Sequence, residues 1–591
     1  MAVLVVVALV TACSSSASGW VEQPPSVVQW GGAGVSVFPS PGTAAASPRS
    51  EISIRGVDPS SIGTVTVVGS KSGRHAGRLV AHEDGHGASF VPARPFAPGE
   101  RVRVTTQLKI RGVGGGAYRF TVARPAAEPP PPPGDPTEPS GAVVGFVTHP
   151  DFHMDGVVVT VNKGAQAPGL IFVSPRRGAG TDALEILDRN GQLVWFKRLP
   201  KGASATDLRT QTFRGRPVLT WWQGTSFVGH GYGRGVIADD TYRTIATVRA
   251  GNGYAADLHE FELTGAGTAF VTAYRVVNWN LSSVGGPVNG LAIDCVAQEV
   301  EVGTGRVLFE WHSLGNVPLA DGYGAVPVDR SSAYDYFHIN SITSDDAGNV
   351  LISGRGTHTL YELDPRTAAI RWRIGGKHTS FRLGPGVPFH SQHNAKWVGP
   401  GTLSLFDNGA GVGGHTHHAS RGLVLHVDEH ARRVTLVRRF PQPRDLLFNS
   451  QGNVENLPGG DWFVGWGQGP YATEFAPDGH SVWALRFASG ASYRAYRYPW
   501  VGHPTTPPAV VTERSGAGVR VTVSWNGATD VAQWQLLAGQ TAAALAPVAT
   551  VPRAGFETSV TTHRPWRFVA MRALDASGAT LGVSRPLRAR D

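Results

Sequence analysis

The chain has 591 residues, which is too long for one ordinary domain and indicates two to four. Its 75 glycines, 42 prolines and low charged fraction of 16% are typical of short strands joined by turns and argue against long helices. The net charge of +9 is spread along the chain without a basic stripe or a recognition module, so nothing supports a nucleic-acid-binding function.

Residues 1–13, MAVLVVVALVTAC, form an apolar run that is too short to span a bilayer as a mature helix. The run ends in Val10-Thr11-Ala12-Cys13 and resembles a bacterial lipoprotein signal, which implies lipidation at Cys13 and anchoring to the outer face of the cell membrane. The alternative is an ordinary secretory signal and a secreted protein. Processing would leave Cys295 without a partner, so we expect no intrachain disulfide.

Four segments flank the central region of the chain. Residues 14–48 are rich in Ser, Gly, Pro and Ala and predict a flexible tether, and residues 126–142 predict a stiff Pro-rich linker. Short alternating segments over 49–125 predict an Ig-like β-sandwich. Residues 504–591 predict a fibronectin type III-like sandwich, with Trp525 and Trp534 as core aromatics.

The central region, 143–503, repeats one phrase six times: an apolar strand, an acidic or Gly-bearing turn, and a strand that often ends in Trp. The copies begin at LEILDRNG, GVIADDTY, QEVEVGTG, LYELDPRT, LVLHVDEH and TEFAPDGH. The copies are spaced by roughly 50 to 65 residues, at the long end of the range for propeller blades. The sequence therefore predicts an all-β chain in which a six-bladed β-propeller is flanked by the two sandwiches.

The strand before each hairpin begins at a similar register. The residues at this position are Arg209, His259, His338, His393 and Gly452. Because the innermost strands of a propeller line its central channel, we expect these side chains at the channel mouth, with three imidazoles in one pocket.

Neighbouring residues favour an anionic substrate in that pocket. Arg355 and Arg275 end the next strands and present planar donor forks, and Asn394 and Lys396 add donors beside His393. Tyr336 is a candidate for stacking on an aromatic ligand.

Metal binding is the competing interpretation, because three neutral imidazoles can hold zinc or copper. The HTHH stretch, with His415, His417 and His418, is a second candidate for ligands. An arginine in the pocket opposes a bound dication, so the predicted site holds no metal.

Several of these segments resemble the arylsulfotransferase (ASST) family, in a divergent, actinobacterial-like branch. The segments are DLHEFEL, FHINSITSDDAGNVLISGRGTHTLYELD, RWRIGG and SQHNAKW, and their order and spacing agree over about 143–503. The resemblance implies a propeller enzyme that transfers a sulfuryl group from a phenolic sulfate ester to a phenol, without a nucleotide sulfate donor or another cofactor.

The resemblance also implies roles for single residues. His393 matches the histidine that becomes sulfurylated, and His259, His338 and Arg355 match residues that grip the sulfuryl oxygens and assist proton transfer. Transfer through a covalent histidine predicts ping-pong kinetics. Two alternatives stay open on the residues alone: a non-catalytic cell-surface binding module, and a metal-assisted hydrolase that uses the same histidines.

Overall fold

The computed structural model describes residues 24–28, 33–130, 140–164 and 167–589. The predicted all-β fold is confirmed, since strands alternate with turns along the described chain. The helices within it are single 3₁₀ turns: Pro59–Ser61, Ser282–Val284, Leu319–Asp321 and Pro458–Gly460. Among these residues no helix has the length and apolarity needed to cross a bilayer. The signal and lipidation predictions at 1–13, Cys13 included, lie outside the described residues.

The N-terminal unit consists of two four-stranded antiparallel sheets around one apolar core, ordered β1-β2-β6-β5 and β4-β3-β7-β8. In β7 alternate residues point inward, and Val102 and Val104 are fully buried. The strands are β1 (Ser36–Phe38), β2 (Ile52–Arg55), β3 (Thr66–Gly69), β4 (Gly73–His75), β5 (Gly77–Ala81), β6 (Gly87–Pro92), β7 (Arg101–Thr105) and β8 (Ala117–Thr121).

The predicted tether extends too far along the chain. Residues 36–38, which were expected to belong to it, form β1 and pair with β2, and Val35, Ala45 and Ala46 are buried. Small apolar side chains in this segment fit the core of the sandwich, so the folded unit begins well before residue 49.

The central region contains thirty-two strands within the described residues. In chain order the first sixteen are β9 (Val143–Phe146), β10 (His149–Asp155), β11 (Val157–Asn162), β12 (Leu170–Val173), β13 (Pro175–Arg176), β14 (Ala183–Leu187), β15 (Leu193–Arg198), β16 (Ser204–Phe213), β17 (Arg216–Phe227), β18 (His230–Ala238), β19 (Thr244–Val248), β20 (Phe261–Leu263), β21 (Thr268–Trp279), β22 (Gly290–Glu301), β23 (Val307–His312) and β24 (Ile339–Ser344). The others are β25 (Val350–Gly354), β26 (Thr359–Leu363), β27 (Ile370–Gly375), β28 (Arg382–Leu383), β29 (His393–Gly399), β30 (Thr402–Asp407), β31 (Ala410–Gly411), β32 (Gly414–His415), β33 (Arg421–Asp428), β34 (Arg433–Pro441), β35 (Asn453–Asn456), β36 (Trp462–Gly465), β37 (Tyr471–Phe475), β38 (Ser481–Phe487), β39 (Ala491–Ser492) and β40 (Tyr496–Tyr498).

Most of these strands build six antiparallel sheets of four or five strands. Sheets 1 to 6 are, from the inner strand outward, β40-β12-β14-β15, β16-β17-β18-β19, β20-β21-β22-β23, β24-β25-β26-β27, β29-β30-β33-β34-β28 and β35-β36-β37-β38-β11. The one parallel pairing among them joins the short β28 to β34. The six repeated sequence phrases form the hairpins β14–β15, β18–β19, β22–β23, β26–β27, β33–β34 and β37–β38.

Contacts between neighbouring sheets close a ring. From sheet 1 to sheet 3 the inner strands β40, β16 and β20 touch in turn, and β21 of sheet 3 contacts β24. From there β24, β29 and β35 touch in turn, and β36 of sheet 6 returns to β40. Both ends of the central region help to close the ring. β40, near its C-terminal end, completes sheet 1, and β11, near its N-terminal end, completes sheet 6. Each tie covers a strand edge that would otherwise be open.

Apolar side chains fill the space between each pair of neighbouring sheets. Every interface contains at least one fully buried large aromatic, so the core of the region is a set of wedges rather than one centre. The aromatics are Trp221 between sheets 1 and 2, Trp222 between 2 and 3, Trp311 between 3 and 4, Trp372 between 4 and 5, Trp466 between 5 and 6, and Trp483 between 6 and 1.

The C-terminal unit packs against sheet 1 of the ring. Its strands are β41 (Ala509–Ser515), β42 (Gly518–Ser524), β43 (Gln533–Thr541), β44 (Ala544–Pro552), β45 (Glu557–Thr561), β46 (Phe568–Leu574), β47 (Thr580–Val583) and β48 (Leu587–Arg588). They form the sheets β41-β42-β45 and β44-β43-β46-β47, with β48 beside β46. Trp534 lies in the core, and Trp525 packs at its edge. Asn526 exchanges two hydrogen bonds with the Phe196 backbone, which ties the unit to β15.

Charged side chains, rather than apolar ones, fill the centre of the ring. Arg209 on β16 and Arg494 before β40 both contact Glu260 Oε1 at 3.0 Å, and Arg494 also reaches Asp207 Oδ1 at 2.9 Å. All four side chains are fully buried. Arg494 Nη2 donates to the carbonyl of Asn340, so the cluster joins sheets 1 to 4. Burial alone would raise the pKa of Asp207, but the two guanidinium groups hold it below its usual range.

The Glu260→Gln variant tests this cluster. Removing one carboxylate leaves two buried guanidinium groups under-compensated, which typically costs about 3–5 kcal/mol. We expect that loss in the free energy of unfolding, measured by denaturant titration with tryptophan fluorescence. Glu513→Gln, at an exposed position of β41, is the matched control and should change stability by less than about 0.5 kcal/mol. Equal unfolding midpoints for the two variants would contradict a stabilising role for the cluster.

Candidate active site

The structure brings the three aligned histidines to one end of the ring. His259 lies two residues before β20, His338 immediately precedes β24, and His393 is the first residue of β29. Because these inner strands start on the same side, the imidazoles converge. The rings of His259 and His338 lie 5.0 Å apart, centre to centre, and nearly perpendicular, and His393 interacts electrostatically with both. All three side chains are buried.

His259 is held by a carboxylate two residues earlier. Its Nδ1–H donates to Asp257 Oδ2 at 2.5 Å, and its backbone N–H donates to the same oxygen at 3.0 Å. The other oxygen of Asp257 accepts the Gly231 N–H at 2.7 Å. Burial would raise the pKa of Asp257, but His259 and these donors hold it below its usual value. The anionic carboxylate therefore orients the ring, leaving Nε2 of His259 available to a ligand.

A carboxylate also holds His338, but the pKa of this ring is lowered. Its Nδ1–H donates to Asp335 Oδ2 at 2.5 Å. Burial nevertheless lowers the pKa of His338, with Asp335 opposing the effect and the charge of Arg355 adding to it. The neutral ring carries its proton on Nδ1, so its Nε2 presents a lone pair.

His393 is held by an amide instead of a carboxylate. Nδ1–H donates to Asn408 Oδ1 at 2.7 Å, and Nε2 accepts the backbone N–H of Gln451 at 3.1 Å. Burial, followed by the charge of Arg355, holds the pKa of His393 well below 6.5. The ring is therefore neutral at physiological pH, with its lone pair on Nε2.

Arg355 supplies the positive charge of the site. It follows β25, its backbone N–H donates to the His338 carbonyl at 3.0 Å, and its Nη2 donates to the Asn449 carbonyl at 3.1 Å. Its Nε is buried without a hydrogen-bond partner. A buried donor without a partner next to neutral imidazoles fits an oxyanion that completes its hydrogen bonding.

The glycine-rich hairpin β31–β32 closes against this arginine. A Cβ on Gly411 would lie 3.0 Å from Arg355 Nη2 and 2.9 Å from Ser391 Oγ, and the residue has φ +130°. Both the space and the backbone conformation therefore require glycine at this position.

Several site residues have strained backbones. Asp207, His338, Ser391, Asn394 and Gln451 all have positive φ between 49° and 70° without being glycine. Such conformations are costly and cluster at functional sites, where the surrounding structure enforces them.

Three predicted residues lie elsewhere. β16 begins five residues before Arg209, so this side chain lies inside the ring and not at the strand's first residue. It belongs to the buried charge cluster. Lys396 lies near the opposite end of the ring, 3.5 Å from Glu262, and lines a cavity of about 520 Å³ there. Arg275 is exposed in a cleft with Ser47 and Tyr254.

Tyr336 also departs from expectation. It is fully buried, and its hydroxyl donates to the Val317 carbonyl, so it is not free to stack on a ligand. Asn394 does lie beside His393, with both polar atoms of its amide buried and without a partner.

The HTHH stretch lies beside the site without forming a compact cluster. His415 and the neighbouring turn are exposed, and His417 Nε2 lies 3.2 Å from Asp407 Oδ2. Across the described parts of the chain, no group of three or more His, Cys, Asp or Glu side chains has the arrangement of a metal site.

The partners of the histidines were not among the predicted site residues. Asp257 and Asp335 stand two and three residues before their histidines, a spacing that was visible in the sequence. Asn408 and Tyr493 come from distant segments, and no local pattern marks them.

The family model described as arylsulfotransferase (ASST) matches residues 209–488. No curated protein matches the chain.

Solved structures with detectable likeness are distant. A protein of unknown function from Bacteroides caccae is 14% identical over 56% of this chain and 98% of its own, with a TM-score of 0.34. An auxiliary nutrient binding protein from Bacteroides ovatus ATCC 8483 is 10% identical over 84% and 96%, with a TM-score of 0.27. A mutant of the GH43 protein BlXynB from Bacillus licheniformis is 10% identical over 65% and 88%, with a TM-score of 0.26. At these values the likenesses support no conclusion about this chain.

The Gly411→Ala variant tests the placement of Arg355. The added methyl group would lie 2.8 Å from the Asn449 carbonyl oxygen and 3.0 Å from Arg355 Nη2, which donates to that carbonyl, so the arginine and its acceptor must shift. A hydrogen bond to a charged group is worth about 1.5–3 kcal/mol. We expect inorganic sulfate to bind about tenfold more weakly, or worse, by isothermal titration calorimetry. Gly414→Ala is the matched control: it lies in the same hairpin with φ +110°, and its Cβ would meet nothing within 4 Å. Equal sulfate affinities in the two variants would show that Arg355 does not bind the anion.

Proposed function

The chain belongs to the arylsulfotransferase (ASST) family, and on that premise we propose that it moves a sulfuryl group from a phenolic sulfate ester to a phenol through a sulfated histidine. The observation that carries the proposal is the convergence of three buried histidines on Arg355, with His393 held neutral. A neutral imidazole is a nucleophile, and an arginine beside it binds the anionic group to be transferred.

We further propose that the ring of six sheets is a six-bladed β-propeller and that the histidines stand at one mouth of its channel. The inner-strand contacts, the apolar wedges between sheets and the ties made by β11 and β40 support this architecture. The buried charge cluster would then close the channel beneath the site, so that substrate enters and leaves through one mouth. The flanking units are proposed to be an Ig-like and a fibronectin type III-like sandwich.

In the first half-reaction the Nε2 lone pair of His393 attacks sulfur in line with the bridging oxygen. The N–S bond forms as the S–O bond breaks, and the electron pair stays on the departing phenolate. The lone pair must first exchange its contact with the Gln451 N–H for the sulfur. Arg355 neutralises charge on the non-bridging oxygens and His259 contacts them, so catalysis comes mainly from positioning and charge stabilisation.

In the second half-reaction an acceptor phenol takes the place of the departed one. The Nε2 lone pair of His338 accepts the phenol proton while the phenol oxygen attacks sulfur, and the N–S bond returns its electrons to His393. Asp335 stabilises the imidazolium that forms on His338. The proton then leaves to solvent, which restores the starting state.

The sequence at the N-terminus supports a location for this activity. Val10–Cys13 has the pattern of a lipoprotein signal, and we propose an exported protein anchored outside the cell membrane, or secreted. Phenolic esters outside the cell would reach the site without transport.

The activity is tested with 4-nitrophenyl sulfate and a panel of phenol acceptors. We expect nitrophenolate release that depends on the acceptor, with parallel double-reciprocal lines, and formation of the sulfated acceptor by mass spectrometry. His393→Ala should lower turnover by about a thousandfold or more, the scale lost when the nucleophile of a two-step transfer is removed. His426→Ala, at an exposed position of β33 in the same sheet, is the control and should keep full activity. Sulfate binding without turnover would favour a binding module instead.

The pH dependence follows from the state of His393. Because its pKa lies well below 6.5, the neutral nucleophile persists as the solution is acidified, and only protonation at much lower pH would remove it. We expect kcat/KM for the sulfate donor to stay level from mildly alkaline pH to well below pH 6.5. An acidic limb centred near 6.5 would show that a histidine with an ordinary pKa performs the attack.

A further inference from the structure

Tyr493 packs against His259 in the histidine site, although nothing in the family resemblance assigns it a role. It falls between β39 and β40, is 1% exposed, and its ring stands edge-on to that of His259 with the centres 5.8 Å apart. Its hydroxyl is buried without a hydrogen-bond partner. Buried hydroxyls are nearly always paired, so this one is expected to find its partner in a ligand.

The position of Tyr493 is fixed relative to His393. The Gly452 N–H donates to the Tyr493 carbonyl at 3.1 Å, and the preceding N–H, of Gln451, donates to His393 Nε2 at 3.1 Å. Two successive backbone amides therefore hold both residues. The guanidinium of Arg494, from the buried charge cluster, packs over the tyrosine ring, with its central carbon 5.2 Å from the ring centre.

The surroundings of Tyr493 keep its hydroxyl protonated, so it can donate a hydrogen bond. Burial raises the pKa of Tyr493, so the phenolic proton is retained at physiological pH. Arg494, Arg355 and Arg176 interact electrostatically with Tyr493 and favour an oxyanion at its hydroxyl. Three buried carboxylates act in the opposite sense: Glu260, Asp207 and Asp257.

The proposed transfer needs such a donor on the leaving side. His338 and His393 are neutral with their protons on Nδ1, so both present lone pairs at Nε2 and neither can donate there. Arg355 and His259 are assigned to the non-bridging oxygens. In-line attack requires the departing oxygen to lie away from His393, and Tyr493 packs against His259, on sheet 3, whereas His393 is on sheet 5.

We propose that the Tyr493 hydroxyl donates a hydrogen bond to the bridging oxygen of the aryl sulfate and is the group that stabilises the departing phenolate. This inference rests on the proposed sulfuryl transfer. As the S–O bond breaks, its electron pair remains on the phenolate oxygen, which accepts a stronger hydrogen bond from Tyr493, and the proton stays on the tyrosine. In the second half-reaction the same hydroxyl contacts the oxygen of the incoming acceptor.

The test is Tyr493→Phe against a series of aryl sulfates whose leaving phenols differ in pKa. Stabilisation of the leaving oxygen matters most when the phenolate is a poor leaving group. We expect kcat/KM to fall only slightly for 4-nitrophenyl sulfate and about tenfold or more for phenyl sulfate, which steepens the dependence of rate on leaving-group pKa. Tyr471→Phe, on β37 in sheet 6, is the control and should follow the wild type.

Two further measurements separate the possible outcomes. Binding of 4-nitrophenolate, measured without turnover, should weaken several-fold in Tyr493→Phe. Thermal stability should be unchanged or higher, because the variant removes a buried hydroxyl that has no partner. A uniform rate loss for all donors, or no loss, would overturn the proposal, and a loss of stability would show that the hydroxyl has a structural partner. Inactive wild-type protein with every donor would instead defeat the proposed function, and this inference with it.

Discussion

The site depends on the buried charges at the centre of the ring. Two arginines and two carboxylates are out of contact with water there, and they are stable only while each keeps its partners. Members of the cluster are next to site residues in the chain: Glu260 follows His259, and Arg494 follows Tyr493. Arg494 also binds the carbonyl of Asn340, two residues beyond His338. The ion pairs therefore set the spacing of the residues above them.

Above this base, the three histidines differ in what holds Nδ1. His259 and His338 donate to carboxylates, whereas His393 donates to the neutral amide of Asn408. A carboxylate stabilises an imidazolium, and an amide oxygen does so far less. The proposed division of labour follows from this difference, because the nucleophile must stay neutral while its neighbours must tolerate a proton or positive charge.

The site is also more tightly constrained than an ordinary loop cluster. His338 and Asn394 both have positive φ although neither is glycine. Gly411 leaves just enough space for Arg355. Strained backbone persists only where packing enforces it, and here the neighbouring sheets and the short hairpin β31–β32 do so. The result is a pocket whose donors and lone pairs are positioned before a substrate arrives.

Much of the fold was readable in the sequence, because short-range patterns decide it. The alternation of apolar residues and the Asp/Gly turns define the six hairpins, and His259, His338 and His393 stand at the starts of inner strands as predicted. The same local reasoning failed for Arg275, which occupies a position similar to that of Arg355 in its repeat but is exposed in a cleft beside the N-terminal unit. The length of a strand and the loops around it decide where such a side chain points, and neither follows from the repeat. The predicted boundary of the tether was wrong because β1 pairs with a strand of a separate sequence segment.

The sequence by itself thus determined the strands, the repeats and the identity of the three histidines. Only the tertiary structure decided that Asn408 holds His393, that Arg275 stays outside the site and that Tyr493 packs against His259, because those contacts link residues far apart in the chain and form only when the ring closes.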